Sequence, residues 1–223
     1  MQPRPDLIFY FDFISPYAYL AFPEVLRLCE HHERNVIPVP VVLGAMLSHH
    51  GHLGPAEIPS KRLYTFKHVL RLAHERGRAL TPPPGHPFNS LLALRMCLAT
   101  SDIDARIRLV GRLFTATWGI DGPGITQPSV LEQLASGIGL DGGELCAQAT
   151  SPEIKAALRD STSEAISVGS FGVPSMLVDG ELFWGLDSVP HIDRFLKGGD
   201  PIDPDTLAQW QDLPALAQRK RPS

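Results

Sequence analysis

A serine and a proline meet where an apolar run ends: Leu7-Ile8-Phe9-Tyr10-Phe11-Asp12-Phe13 leads through Ile14 to Ser15-Pro16, and a helical pattern begins. A hydroxyl at a helix N-terminus lies beside backbone N–H groups that lack intrahelical partners, at the positive end of the helix dipole. An anion bound there is stabilised. The same pair also reads as the N-cap and N1 proline of an ordinary helix. A second stretch near the other end of the chain reads Phe171-Gly172-Val173-Pro174-Ser175, followed by Met176-Leu177-Val178, Asp179-Gly180 and Leu182-Phe183-Trp184. Val173-Pro174 is a candidate cis peptide, because only an X–Pro bond adopts cis at a cost of about 0.5–1 kcal/mol. Asp-Gly between two apolar runs predicts a tight hairpin. Beyond Gly185, Asp187-Ser188 opens a helix carrying Val189, Ile192, Phe195 and Leu196.

Other chemistries fit less well. Thiol–disulfide exchange needs a sulfur at the helix start, and none of Cys29, Cys97 and Cys146 lies within ten residues of Ser15 or forms a Cys-x-x-Cys pair. They read as buried thiols of a reduced compartment. Gly169-Ser170-Phe171-Gly172 is not the Gly-x-Ser-x-Gly elbow of a serine hydrolase. His49-His50-Gly51-His52 reads as a loop without the acid or cysteine partners of a closed metal site, so no metal is expected. With Lys61 and Arg62 it is placed at the acidic end of an aromatic substrate.

The elements that carry these residues follow from periodicity. Pro16 to His31 is predicted as a helix with Ala18, Ala21, Val25, Leu28 and Cys29 on one stripe. Val36 to Leu43 is predicted as a strand, at a sheet edge because Pro38 and Pro40 interrupt it. From Gly44 to Thr150 strand signals vanish. Helical stripes run through Leu63, Phe66, Val69, Leu70 and Ala73; through Leu91 to Leu98; through Ile107, Val110, Phe114 and Thr117; and through Val130, Leu131 and Leu134. Ser151-Pro152 starts a long helix back to the hairpin. The reading is an α/β, thioredoxin-like fold with an inserted all-helical domain. Residues 1–43 and 151–198 form the thioredoxin-like domain, 44–150 the insertion, and 199–223 a solvated C-terminal tail ending in Arg219-Lys220-Arg221.

The 223 residues are 43% hydrophobic with a formal net charge of -4, which leaves no broad basic face for nucleic acid. No run approaches the ~18 apolar residues of a membrane span. The polar N-terminus lacks the pattern of a signal peptide, so a cytoplasmic location is expected.

The chain resembles the 2-hydroxychromene-2-carboxylate isomerases and kappa-class glutathione transferases. The resemblance is carried by Phe9-Tyr10-Phe11-Asp12-Phe13-Ile14-Ser15-Pro16-Tyr17 with Tyr19-Leu20-Ala21, Gly54-Pro55, Lys61, Tyr64, Pro87-Phe88-Asn89, Arg95, Phe171-Gly172-Val173-Pro174 and Phe183-Trp184-Gly185-Leu186-Asp187. It implies glutathione as cosubstrate and Ser15 as the catalytic residue that holds its thiolate. It further implies that Val173, before Pro174, pairs its backbone with the cysteinyl part of the tripeptide. Asp187 and Ser188 would receive the γ-glutamyl group, or else cap the following helix. Trp184 falls at the same glutathione site, chiefly as a packing residue. Tyr17, His49, Lys61 and Asn89 fall on the side of a small aromatic or electrophilic substrate, and relatives are expected to be homodimers. Departures fall on that substrate side: Ser48 and Glu57-Ile58 stand where the isomerases carry a lysine and an Asn-Arg pair, and His68 where relatives often have aspartate. The resemblance therefore implies an isomerase, with a kappa-like transferase or peroxidase, or a thioredoxin-fold oxidoreductase-like protein lacking Cys-x-x-Cys, as alternatives; a glutathione-binding module without activity is a further reading.

Overall fold

The computed structural model describes residues 5–211, 213–214 and 216. Four strands form one mixed sheet in the order β2-β1-β3-β4. The central strand β1 (Asp6–Phe11) runs parallel to β2 (Asn35–Pro40) and antiparallel to β3 (Ser175–Val178), which pairs with β4 (Glu181–Trp184). As its two prolines require, β2 lies at an edge. It ends at Pro40 rather than Leu43, because Leu43 already begins a helix.

The two faces of β1 separate the layers. Leu7, Phe9 and Phe11 point into the larger core with α1 (Pro16–His31) and α5 (Ile103–Trp118); Tyr10 points the other way, onto Val41, Met46, Ala165 and Val173. Phe13 packs edge-on against Phe114 at 4.9 Å and against Phe11 at 5.2 Å, so one aromatic cluster joins the sheet to the helices that follow β2. Each such side chain removed from water contributes roughly 1.5–3 kcal/mol. The junction that carries Ser15 is therefore backed by a buried aromatic cluster.

Between β2 and the returning helix α8 (Pro152–Ser167) lie α2 (Leu43–His50), α3 (Pro59–Glu75), α4 (Leu91–Ala99), α5, α6 (Pro128–Ser136) and α7 (Gly142–Gln148). Their starts are set by side-chain caps where the sequence supplies them: Asp102, Asp141 and Ser151 accept from Ala105, Glu144 and Ile154 backbone N–H groups. The α3 stripe holds only in part. Val69 and Ala73 are buried, whereas Leu63 and Leu70 are 58% and 51% exposed. Leu70 follows Val69 by one residue, about 100° around the helix, and that rotation carries it off the packed face.

The hairpin forms as expected, with Asp179 at φ 50° and Gly180 at φ 88°. Asp179 also accepts two hydrogen bonds from the Arg34 guanidinium, one at 2.8 Å, and this holds its carboxyl below the usual range. A depressed carboxylate stabilises the fold above its unfolded pKa of about 3.9, and the contribution is lost as pH falls through the lower folded value. The Asp179 side chain is 48% exposed, so solvent screening keeps the pair near 0.2–1 kcal/mol. Asp179→Asn should therefore melt slightly below the wild type at pH 7, and the gap should close in melts taken at about pH 2.

After β4, a 3-10 turn (Leu186–Ser188) leads into α9 (Val189–Leu196). The segment read as a tail contains a further helix, α10 (Pro204–Gln211), capped by Asp203 through Thr206 N–H and exposed along its length. Without a buried apolar stripe it left no periodic signal. Arg219-Lys220-Arg221 lies outside the described residues. The three cysteines are free and buried; burial pushes the Cys29 thiol up to about 11 and the Cys97 thiol higher still, which makes both poor nucleophiles. Among the described residues, no helix is long and apolar enough to cross a membrane.

Candidate active site

Ser15 is the N-cap of α1. Its Oγ accepts from Ala18 N–H at 3.2 Å and faces the Val173 carbonyl at 3.4 Å. The first contact fixes the hydroxyl at the positive end of the helix. The second is long for an O–H···O bond, so the proton is weakly engaged and can turn to a better acceptor at little cost. Val173 is buried, the Val173-Pro174 bond is cis, and the Val173 N–H forms no hydrogen bond among the described residues. Behind this loop, Ser175 Oγ donates to Gly172 O at 2.7 Å and Ser170 Oγ to Ser175 Oγ at 3.1 Å. A strand-like backbone edge therefore stands beside the serine.

Three side chains to which the sequence reading gave no role hold the Ser15 loop. Asp12 is buried and gathers donors from three segments: Ile14 N–H at 3.2 Å and Ser90 Oγ at 2.7 Å on one carboxyl oxygen, Leu43 N–H at 3.0 Å on the other. Burial pushes this carboxyl up, and the donors pull against that rise. Trp118 Nε1–H donates to Phe13 O at 2.9 Å, and His86 Nε2–H to Ile14 O at 3.0 Å. Both carbonyls preceding Ser15 are thus tied down. The His86 ring lies among Phe66, Phe88 and Trp118, and burial lowers its pKa, so it stays neutral and keeps its proton on Nε2. Only Asp12 had a visible sequence signal, an acid inside an apolar run; the carbonyl anchors are set by contacts distant in sequence.

The remaining residues fall in different places. Tyr17, half-buried on the first turn of α1, bonds through its hydroxyl to His68 Nδ1 at 3.0 Å. Asp187 is exposed on the 3-10 turn and close enough to Tyr17 to affect its ionisation. Ser188 occupies the N-cap position of α9, but neither it nor Asp187 makes a side-chain capping bond among the described residues, and Ser188 Oγ donates instead to Trp184 O at 2.6 Å. The Asp187 carboxylate forms no hydrogen bond among the described residues. Gly185 at φ 92° permits this turn, because a Cβ there would lie 2.5 Å from Asp187 Oδ1. Trp184 is 52% exposed and touches Phe171 at 5.0 Å between rings, so it is no buried packing residue.

The histidine segment is a loop only in its second half, Gly51-His52. His49 and His50 end α2, Gly51 at φ 64° caps it, and His50 Nε2 lies 3.4 Å from Ser170 O while His49 is exposed. His50 is thus the one that meets the loop before Val173. Lys61 is exposed at the start of α3; its neighbour Arg62 donates to His86 O at 3.0 Å. Asn89 Oδ1 accepts from Leu91 N–H at 3.0 Å, which opens α4. Elsewhere, at the far end of α1, His31, His32 and Asp193 bring possible metal-ligand atoms within 4.8 Å of one another, but Asp193 is already paired with His32 and Lys197.

A 2-hydroxychromene-2-carboxylate isomerase of Sphingobium xenophagum is 28% identical over 84% of this chain and 96% of its own length. Glutathione S-transferase kappa 1 of Caenorhabditis elegans is 26% identical over 93% of this chain and 97% of its own. A solved 2-hydroxychromene-2-carboxylate isomerase superposes with a TM-score of 0.80 at 23% identity, covering 94% of this chain and 100% of that one, which establishes a shared fold. The family model of the DSBA-like thioredoxin domain matches residues 6–197, from the first residue of β1 to the residue after α9. With its mixed sheet and the helices set between β2 and α8, the chain belongs to the DSBA-like thioredoxin domain family.

Proposed function

We propose that this chain is a glutathione-dependent isomerase of a 2-hydroxychromene-2-carboxylate-like substrate, in which Ser15 stabilises the glutathione thiolate. The observation that carries this reading is the Ser15 hydroxyl, fixed by Ala18 N–H at a helix N-terminus with its own proton weakly held. The energetics suffice. A thiol of pKa about 8.5 needs about 2.7 kcal/mol of preference for its anion to drop two units. A hydrogen bond to a charged group supplies roughly 1.5–3 kcal/mol and a helix N-terminus about 0.3–1 kcal/mol more.

The unpaired Val173 N–H and its carbonyl would take the cysteinyl backbone, and the uncommitted Asp187 carboxylate, with Ser188 beside it, would take the γ-glutamyl amine. The sulfur's lone pair forms a bond to an electrophilic carbon of the conjugated substrate, the adduct rotates or opens, and the electron pair returns to sulfur as glutathione leaves. If the sulfur stays on the electrophile the same step is a transferase reaction, the activity named by the kappa-class relatives. The family resemblance also implies a homodimer, for which the exposed Leu63 and Leu70 on α3 offer an apolar face, and the sequence reading adds a cytoplasmic location.

Incubation of the purified chain with 2-hydroxychromene-2-carboxylate should give isomerisation that requires glutathione and does not consume it. Equal rates with and without the tripeptide would refute the proposal. Stoichiometric loss of free thiol would convert the reading to a transferase, and binding without turnover of any electrophile to a binding module.

A further inference from the structure

The Tyr17–His68 pair takes no part in bracing the Ser15 loop, yet it ties α3 to the turn of α1 that Ser15 opens. Tyr64 stacks on the imidazole, with centroids 5.9 Å apart and planes 23° from parallel. Tyr17 and His68 are half-buried, whereas Tyr64 is 63% exposed, so the three rings lead from solvent to the first turn of α1. The groups facing this line are Tyr64 from α3 and Asp187 from the turn after β4. No carboxylate, lysine or arginine hydrogen-bonds to His68 among the described residues. Burial foremost, and then Tyr64 and Asp187, pushes the Tyr17 phenol up, so it is protonated at neutral pH.

A phenol has one proton. When Nδ1 of the imidazole is bare it accepts that proton as a hydrogen bond; when Nδ1 carries a proton it donates to the phenol oxygen and frees the O–H for a third group. We infer that Tyr17 protonates the carbonyl oxygen of a conjugated electrophile as glutathione sulfur adds, and that His68 resupplies Tyr17, which assigns the site to α,β-unsaturated carbonyl compounds. The inference rests on the glutathione reading of Ser15. The step balances. Sulfur's lone pair makes the C–S bond, the alkene π pair moves to form the enol double bond, the carbonyl π pair takes the Tyr17 proton, and the phenol oxygen takes the Nδ1 proton of a doubly protonated His68 ring, which is left neutral. Expulsion of glutathione reverses each transfer, and no oxidant or reductant is needed.

The test compares glutathione turnover on benzylideneacetone, whose carbonyl oxygen needs a proton, with turnover on chlorodinitrobenzene, where sulfur displaces chloride and no enol forms. In both Tyr17→Phe and His68→Gln the ratio of the two activities should shift against benzylideneacetone by about tenfold or more, the scale of a lost general acid. Gln can still donate a hydrogen bond to Tyr17 but cannot pass on a proton, so the loss in His68→Gln should appear in kcat for benzylideneacetone rather than in KM. An unchanged ratio, whether the activities fall together or not at all, overturns the inference. So does a wild type that forms the thiolate but leaves benzylideneacetone untouched. Thiolate absorbance on mixing with glutathione is read separately, and its absence from the wild type would fail the Ser15 reading itself.

Discussion

Ser15→Ala lowers turnover about 10- to 150-fold at neutral pH, the kinetic equivalent of one charge-assisted hydrogen bond of roughly 1.5–3 kcal/mol. Glutathione affinity should change by only about threefold, because the proposed contacts at Val173 and Asp187 involve other atoms. The acid limb of kcat/KM should also move up by about one to two units, since the alanine protein must wait for the thiol to ionise near its ordinary pKa. Alanine removes the bond to Ala18 N–H as well, and a lost cap destabilises by about 1 kcal/mol. Melting curves taken beside the kinetics separate the two effects: a small drop in Tm with a large drop in turnover, assayed well below that Tm, assigns the loss to chemistry. Wild-type turnover in the alanine variant would end the proposal.

Much of the scaffold was legible because its signals are local. Ser15-Pro16 marked the start of α1, Asp179-Gly180 the hairpin, Pro38 and Pro40 the edge strand, and Val173-Pro174 the cis bond, each through the conformational limits of one or two residues. The misreadings share the opposite cause. α2 is too short to show a stripe and contains two of the three histidines, so its end looked like a loop. α10 buries nothing and therefore has no apolar period. Leu63 and Leu70 fitted a helical stripe but lie at its edge, and periodicity does not say how much of a stripe is covered. At the site, the chemistry-bearing serine stood out by position, whereas its supports come from far away: Leu43 and Ser90 reach Asp12, His86 reaches Ile14, and Trp118 reaches Phe13. Spacing along a chain carries no trace of such contacts until the fold exists.

The most consequential of those supports is Asp12, and Asp12→Asn tests it with almost no change of volume. An amide offers one acceptor oxygen where the carboxylate offers two, and its NH2 must face either Ile14 N–H or Leu43 N–H. The Ser90 hydroxyl can rotate to accept; a backbone N–H cannot. At least one buried donor is then unsatisfied, at a cost of about 1–3 kcal/mol, which for a chain of this size lowers Tm by roughly 2–10 °C. Turnover should fall at least about tenfold even where the variant is fully folded, because the Ile14 N–H brace lies next to Ser15 and small misplacements of a catalytic group are expensive. The pH dependence provides a second check. Burial raises the Asp12 carboxyl above its unfolded value, so the native state binds its proton more readily, and stability from this site falls as pH rises from the ordinary carboxylate pKa to the raised one. Asparagine has no such slope. Urea titrations of the two proteins between about pH 3.5 and 7 should therefore show the wild type losing part of its margin over Asp12→Asn as pH rises. A variant with wild-type Tm, turnover and pH slope would mean that the three donors do not depend on the carboxylate.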